Sequence, residues 1–416
     1  MTRARDLSQI HATTSAEEAA GVTPVDATFP AGDIRRYGTN TTPGTTNMSV
    51  ALQAGIDQNL NGGPPLQLHR ETYAYATTLT FSSGITILGE GRQNTKLSYT
   101  GSGAAFASLT PTVRTYNVLM RDFNLTDAGT GTVGLDLSSV TLSHVENLTI
   151  DGFTTNVKIT SPTNGYSLYN RFYNIYSLNA TTGYHIAAAG SNAHTFYACR
   201  AGTCTTGVLI ADSNENHFDA CQFEACTNGV SITASGAGLS ARNFINQSRF
   251  ENNSGTNIVI GTNVPETALI MNHHVTGTAL SDSGLRTQTL GVFSNSDVLS
   301  LNSAMGGATA PAYSLERSAN GGAGENALLK LVDSVTSTGT PTTLEIHSGR
   351  VAGQAFRIYD TIAGAESFSV EARGRIRTNQ DTANTNTPSG ATAAQMPIYN
   401  ESGTLIGYIP IYASAW

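Results

Sequence analysis

Charge is what this sequence has least of. Lys, Arg, Asp and Glu make up 12% of its 416 residues, about half the usual share of a globular chain. Gly, Ser, Thr and Asn fill the difference, and turn-rich β architecture draws on those residues most. The 22 basic and 30 acidic residues leave a formal charge of −8, without the basic excess that binding to a nucleic-acid backbone relies on. No apolar run approaches the roughly 20 residues of a membrane-spanning helix, so no membrane insertion is expected. Nor does the apolar core of a signal peptide follow Arg3 and Arg5, which predicts a soluble protein that leaves its cell by no ordinary signal. Tryptophan occurs once, as Trp416, and cysteine four times. Cys199 and Cys204, then Cys221 and Cys226, have a spacing that two pairs of metal ligands would share. Yet the second pair follows the first by 22 residues, which is the period of a repeat described next. Stacked, buried free thiols are the reading preferred here, with zinc or a disulfide between neighbours as the alternatives.

The repeat runs from Ser143 to Ile260 and returns every 22 to 27 residues. Its units begin at Asn170, His194, Asn216 and Asn243, and two positions later stand Phe172, Phe196, Phe218 and Ile245. Each unit ends on an alternating pair: Val157 and Ile159, Tyr184 and Ile186, Val208 and Ile210, Val230 and Ile232, Ile258 and Ile260. Gly183, Gly207 and Gly229 keep one place in the period. Short alternating runs joined by Gly, Asn and Thr turns, at a period of this length, mark a solenoid of stacked parallel strands. No unit has enough apolar residues to fold alone. The fold predicted is all-β, a right-handed parallel β-helix of about seven coils.

Ahead of the repeat, residues 1–32 carry little pattern and read as a tail or an anchoring peptide. From Asp33 to Gly38 the chain reads as a short strand. Asn47 can cap a helix whose Met48, Leu52, Ile56 and Leu60 share one face, and Asn61 to Pro65 stops it. Leu66 to Tyr75 and Leu79 to Leu88 read as strands, the turn Gly89-Glu90-Gly91 leads to a further strand at Thr95 to Tyr99, and a first coil is placed over Asn117 to Leu137. This order of pieces, with Asp33-Ile34 and Tyr37-Gly38, then the helix, then Gly84 to Gly91, resembles the N-terminal cap of the pectate-lyase-like β-helix superfamily. It is similar above all to the versions in bacteriophage tailspikes and tail fibres, over residues 33 to about 280. Two departures stand out: Thr45 to Met48 replace the paired Asp residues common in that family, and His69 to Glu71 replace its Pro-x-Gly.

Past residue 284 the repeat is lost. Short strands are expected at Ala327–Val332, Thr342–His347, Ala355–Tyr359 and Ser367–Ala372, forming a β-rich region to residue 395. A hairpin over 396–416, turning at Glu401 to Gly403, resembles the closing segments of phage fibres and spikes that sit at a trimer axis. The resemblance implies a homotrimer in the tail of a virion, attached through its N-terminus to other tail proteins and meeting a bacterial capsular polysaccharide or lipopolysaccharide.

Counting from each unit start gives three outward columns. One holds Glu146, Tyr173, Tyr197, Asp219 and Asn246; the next Thr149, Tyr176, Arg200, Gln222 and Arg249; the third Asp151, Leu178, Gly202, Glu224 and Glu251. Stacked coils stand about 4.8 Å apart, so neighbours in a column touch. Tyr173, Tyr176 and Tyr197 with Arg200 and Arg249 suit sugars, which offer both flat apolar faces and hydroxyls. Asp219, Glu224 and Glu251 are candidate catalytic carboxylates. Glycosidic cleavage needs two of them, at about 5–5.5 Å for retention and about 6.5–9.5 Å for inversion. Glu224 with Glu251 suits the first geometry, Asp219 with Glu224 the second; solvated pairing with Arg200 and Arg249 is the plainer account of the same residues. A calcium-assisted lyase would want an Asp cluster beside a Lys or Arg base, and Lys158 lies far from Asp219. His194 falls in the Asn170 column as a turn residue, His273 and His274 read as exposed, and no cofactor or metal is expected. Three functions follow: a spike that binds and degrades surface polysaccharide, a fibre or structural virion part that only binds, and a cellular polysaccharide lyase or epimerase.

Overall fold

A computed structural model describes residues 12–290, apart from 163–164, 237–238, 277 and 285–286. It also describes the strands Phe293–Ser294, Gln354–Asp360, Ala365–Glu371, Ile376–Thr378, Ala394–Tyr399 and Leu405–Ile411. The chain forms two units, 1–337 and 338–416. In the first, three parallel sheets share one winding path. Sheet A runs through ten strands from Leu66–Gln67 to Gln288–Leu290, sheet B through ten from Thr72–Tyr75 to Phe293–Ser294, and sheet C through nine from Leu79–Phe81 to Thr278–Asp282. The result is a right-handed parallel β-helix of about nine turns.

Nine rather than seven turns result because the stretches expected as cap strands are coils. Leu66 to Tyr75 splits at His69–Glu71 into a sheet A and a sheet B strand, and Leu79 to Leu88 splits into the end of the first coil and the start of the second. The coil at Asn117 to Leu137 is thus the third. Asp33 to Gly38 is also not a strand. Asp33 Oδ1 accepts the Arg35 backbone N–H at 3.0 Å and starts a single helical turn, Ile34–Tyr37.

Alternation along each strand sends every second side chain inward, and parallel register stacks like on like. Phe172, Phe196 and Phe218 pile up with centroids 4.5 and 4.4 Å apart. Beside sheet C, Val157, Tyr184, Val208, Val230 and Ile258 form one buried column. Gly183, Gly207 and Gly229 are required by close approach: a Cβ on Gly207 would stand 2.5 Å from the Gly229 carbonyl oxygen. The four cysteines are buried and free, with Cys204 and Cys226 packed on Ala180.

Sharp corners let three short strands close a coil, and single residues with positive φ make them. Between sheets A and B these are Asp122, Asn147, Asn174, Ala198, Ala220, Gln247 and Met271. Between C and A they include Leu142, Tyr169, Ala193, Glu215 and Arg242. The left-handed conformation costs roughly 1–2 kcal/mol for residues with a Cβ, so each corner needs compensation. It comes directly after the C–A corner from a buried ladder. Asn170 Oδ1 accepts the Ser143 N–H at 3.1 Å, His194 Nδ1 the Asn170 N–H at 3.3 Å, Asn216 Oδ1 the His194 N–H at 3.3 Å, and Asn243 Oδ1 the Asn216 N–H at 3.0 Å.

The N-terminal end is closed by α1, Ser15–Ala20, α2, Ile34–Tyr37, and α3, Ser49–Leu60. Residues 12–32, featureless in sequence, are tied down by the ion pair of Glu17 with Arg36, both side chains almost fully buried. Burial alone would raise the Glu17 carboxyl, but hydrogen bonds from Arg36 and Thr14 hold it down at about 2. Met48, Leu52 and Ile56 of α3 and its N-terminal flank cover the end of the core. Gln53 both accepts from Thr80 N–H and donates to Thr80 carbonyl, each at 2.9 Å, so the first strand of sheet C offers no bare edge there. The second unit is antiparallel: Gln354–Asp360, Ala365–Glu371 and Ile376–Thr378 form one sheet, and Ala394–Tyr399 pairs with Leu405–Ile411. The expected strands at 327–332 and 342–347 lie outside the described residues.

His194 makes stability depend on pH. As a rung it accepts through Nδ1 and must stay neutral, and burial pushes it from 6.5 down to about 3. The unfolded chain takes up this proton below about 6.5 while the folded chain does not. Stability is therefore full above 6.5 and falls as pH drops toward 3, by up to about 1.4 kcal/mol per pH unit. His194→Asn, which copies the neighbouring rungs, is expected to fold. Between pH 7 and 5, urea melts should show one proton fewer taken up on unfolding than in the parent; an unchanged slope would show that His194 is already protonated.

Candidate functional site

The outward columns read from the sequence are in register. Glu146, Tyr173, Tyr197, Asp219 and Asn246 are successive partners on sheet A. Thr149, Tyr176, Arg200, Gln222 and Arg249 follow one another on sheet B, as do Asp151, Leu178, Gly202, Glu224 and Glu251. A single corner residue and the buried position after it separate the two sheets, so the columns share one side of the solenoid.

Sheet A carries the aromatic part. Tyr173 and Tyr197 lie 5.5 Å apart between centroids and within 6° of parallel, and they are 44% and 48% exposed. Beside them runs a groove of about 290 Å³. Its other wall is a column that the sequence reading passed over, His144, Arg171 and Thr195. The position one residue before each inward Phe172 or Phe196 was the signal that could have found it.

Sheet B carries the ionic part. Arg200 Nη2 meets Glu224 Oε2 at 2.7 Å, and Gln222 Nε2 donates to the same oxygen at 3.0 Å. Arg249 Nη2 stands 2.8 Å from Glu251 Oε2. Glu224 and Glu251 thus each have a guanidinium partner. As register partners on adjacent strands, Glu224 and Glu251 have backbones about 4.8 Å apart. Asp219 is across the corner on sheet A, where its Oδ1 accepts from Asn246 at 2.9 Å. Tyr176 differs from the other tyrosines: the Arg92 guanidinium covers its ring at 3.8 Å, and Arg200 stands 5.9 Å from the centroid. Arg92 comes from the loop after Gly91 in the second coil, three coils before Tyr176, and that crossing was invisible in sequence. At the corner between the two parts, Ala198 and Ala220 occupy the left-handed positions where Asn147 and Asn174 stand in earlier coils.

Other candidates fall away from this face. Lys158 pairs with Asp136 at 2.9 Å on sheet C. His273 is exposed but His274 is buried, contrary to the expectation for the pair. Its ring stacks on Phe250 at 4.8 Å, and burial lowers it to about 4. Inward alternation decides between the two. Among the described residues no three His, Cys, Asp or Glu side chains cluster as metal ligands, and no helix is long and apolar enough to cross a membrane.

Inner and outer rings of the same strand should respond oppositely to truncation. Phe196→Ala is expected to cost about 3–5 kcal/mol by opening a cavity. Tyr197→Ala removes an exposed ring and should cost under about 1 kcal/mol. Chemical denaturation of both variants checks this, and a large loss at Tyr197 would assign its ring to the coil rather than to a ligand.

No family model matches the sequence, and no curated protein matches it. Solved structures with similar coordinates include a Geobacillus virus E2 protein, ORF18, at 12% identity over 84% of this chain and 86% of that one, with a TM-score of 0.46. The gp42 tailspike of Acinetobacter phage vb_AbaP_AS12 aligns at 11% identity over 92% and 82%, with a TM-score of 0.45. The A-module of the mannuronan C-5 epimerase AlgE4 from Azotobacter vinelandii aligns at 13% over 64% and 89%, with a TM-score of 0.45. By its own topology, the chain is a right-handed parallel β-helix protein.

Proposed function

We propose that the protein is a tailspike or fibre of a bacteriophage that binds a bacterial surface polysaccharide along sheets A and B. The observation that carries this reading is the juxtaposition, on one side of the solenoid, of the exposed stacked pair Tyr173 and Tyr197 with the ladder of Arg200, Glu224, Arg249 and Glu251. Aromatic rings take the apolar faces of sugars, and half-exposed ion pairs exchange readily for hydroxyls because they contribute only about 0–1 kcal/mol where they stand. The sequence resemblance to phage spikes agrees with it and implies a place in the virion tail, with other tail proteins met through the N-terminus. A binding fibre needs nothing more.

Cleavage is a second reading, favoured by the stacking of Glu224 on Glu251. A retaining glycosidase places its carboxyls about 5–5.5 Å apart, close to one coil spacing. In that role one carboxyl protonates the leaving oxygen and the other attacks the anomeric carbon. Incubation with a panel of capsular polysaccharides and lipopolysaccharides should then release oligosaccharides of defined length. Glu224→Gln or Glu251→Gln should slow release at least ~10²-fold with affinity nearly unchanged, since an amide keeps the shape but exchanges no proton. Asp219→Asn should matter greatly only if Asp219 and Glu224 act as an inverting pair. Binding without release by the parent protein would leave the fibre reading standing and remove the enzymatic one.

Assembly as a parallel homotrimer completes the proposal. The C-terminal segment is rich in Ile and Tyr and carries Trp416, a composition of the kind an interface between copies draws on. Mass photometry should find three copies at micromolar concentration, and removal of 396–416 should weaken the assembly while leaving the β-rich circular dichroism of the solenoid. A stable monomer would overturn it.

A further inference from the structure

We infer that the groove on sheet A is specific for a carboxylate-bearing sugar, with Arg171 as its counter-charge. The inference rests on the polysaccharide-binding reading above and narrows its ligand. Arg171 is exposed on the wall of the groove, in register between His144 and Thr195. Most other arginines of the solenoid have a partner across a coil or a ring beneath them: Arg200 has Glu224, Arg242 has Glu215, Arg249 has Glu251, and Arg92 and Arg114 lie over Tyr176 and Tyr166. Among the described residues Arg171 has no ion pair. His144 Nε2, in the same column, is buried without a hydrogen-bond partner; its nearest carboxylate, Glu146, is 3.8 Å away.

The groove therefore has two unlike walls. One carries two donors open to a ligand, the Arg171 guanidinium and the Thr195 hydroxyl, beside the His144 ring. The other is the parallel pair Tyr173 and Tyr197. A neutral sugar would leave the guanidinium without a charged partner. A uronic or nonulosonic acid places a ring against the tyrosines and its carboxylate on the guanidinium fork, which binds carboxylates through two parallel hydrogen bonds. Glu146 lines the same groove one coil before Tyr173, so the carboxylate belongs on the Thr195 side of Arg171, the side turned from that like charge. The ionic ladder of sheet B, whose guanidinium groups are already engaged, then handles hydroxyls of the neighbouring units.

The test compares an array of acidic bacterial polysaccharides, including hyaluronan, alginate and polysialic acid, with their carboxyl-reduced forms, using the full chain and Arg171→Gln. The parent should bind at least one acidic polymer, lose at least ~10-fold in affinity when that polymer's carboxyls are reduced, and weaken as salt is raised. Arg171→Gln should lose a similar factor on the acidic polymer and nothing on the reduced one. Tyr197→Ala should weaken both, which separates the aromatic wall from the charged one. Equal binding of acidic and reduced polymers, or binding of neutral glycans alone, would overturn the carboxylate assignment and leave the polysaccharide-binding function intact. Binding of no glycan at all would overturn both.

Discussion

Everything in the solenoid depends on satisfying the buried backbone at its corners. A coil of three short strands can close only if single residues turn sharply, and the N–H groups inside those turns face the core rather than water. A buried peptide donor without a partner costs about 1–3 kcal/mol, and the penalty would recur in every coil. The Ser143, Asn170, His194, Asn216 and Asn243 ladder removes it by letting each coil accept from the one before. Ser248 and Asn272 repeat the device at the A–B corner, where Ser248 Oγ accepts from Cys221 N–H and Asn272 Oδ1 from Ser248 N–H. Vertical register is thereby set by side chains as well as by strand pairing.

Such register has a functional consequence. A side chain on the outside meets chiefly the residues above and below it and those of the adjoining column, so chemistry is assembled by stacking. Tyrosine on tyrosine gives a platform, and arginine beside glutamate gives an ion pair. Arg92 is the exception, a residue from an early loop laid across later coils, and it removes Tyr176 from the set of open rings.

The ends of a solenoid lack the neighbour that satisfies the others. At the N-terminal end, α3 supplies both missing halves: apolar residues for the core, and the Gln53, Asn59 and Ser49 side chains for strand-edge groups at Thr80, Thr86 and Ala76. The buried pair of Glu17 and Arg36 fixes the preceding segment on this cap. Such a pair is strongly destabilising when broken, by about 3–5 kcal/mol, which makes it a condition for the cap's order.

The sequence by itself determined the class of fold and the register of the outward columns, because both follow from a period and an alternation that any reader can count. Phe172, Phe196 and Phe218 stack as the period requires, and the spacing of the four cysteines favoured the core over zinc or a disulfide, as found. It did not determine where the coils begin, since the first two, at Leu66 and Thr86, share no motif with the later ones and differ in loop length. Nor did it distinguish His273 from His274, or Tyr173 from Tyr176. Those differences arise from contacts between residues far apart in the chain: the alternation that turns His274 onto Phe250, and the reach of Arg92 across 82 residues to Asn174. Only the tertiary structure decided that Glu224 and Glu251 each pair with an arginine while Arg171 has no ion pair among the described residues, because a side chain's partner is chosen by rotamer and distance, and periodicity specifies neither.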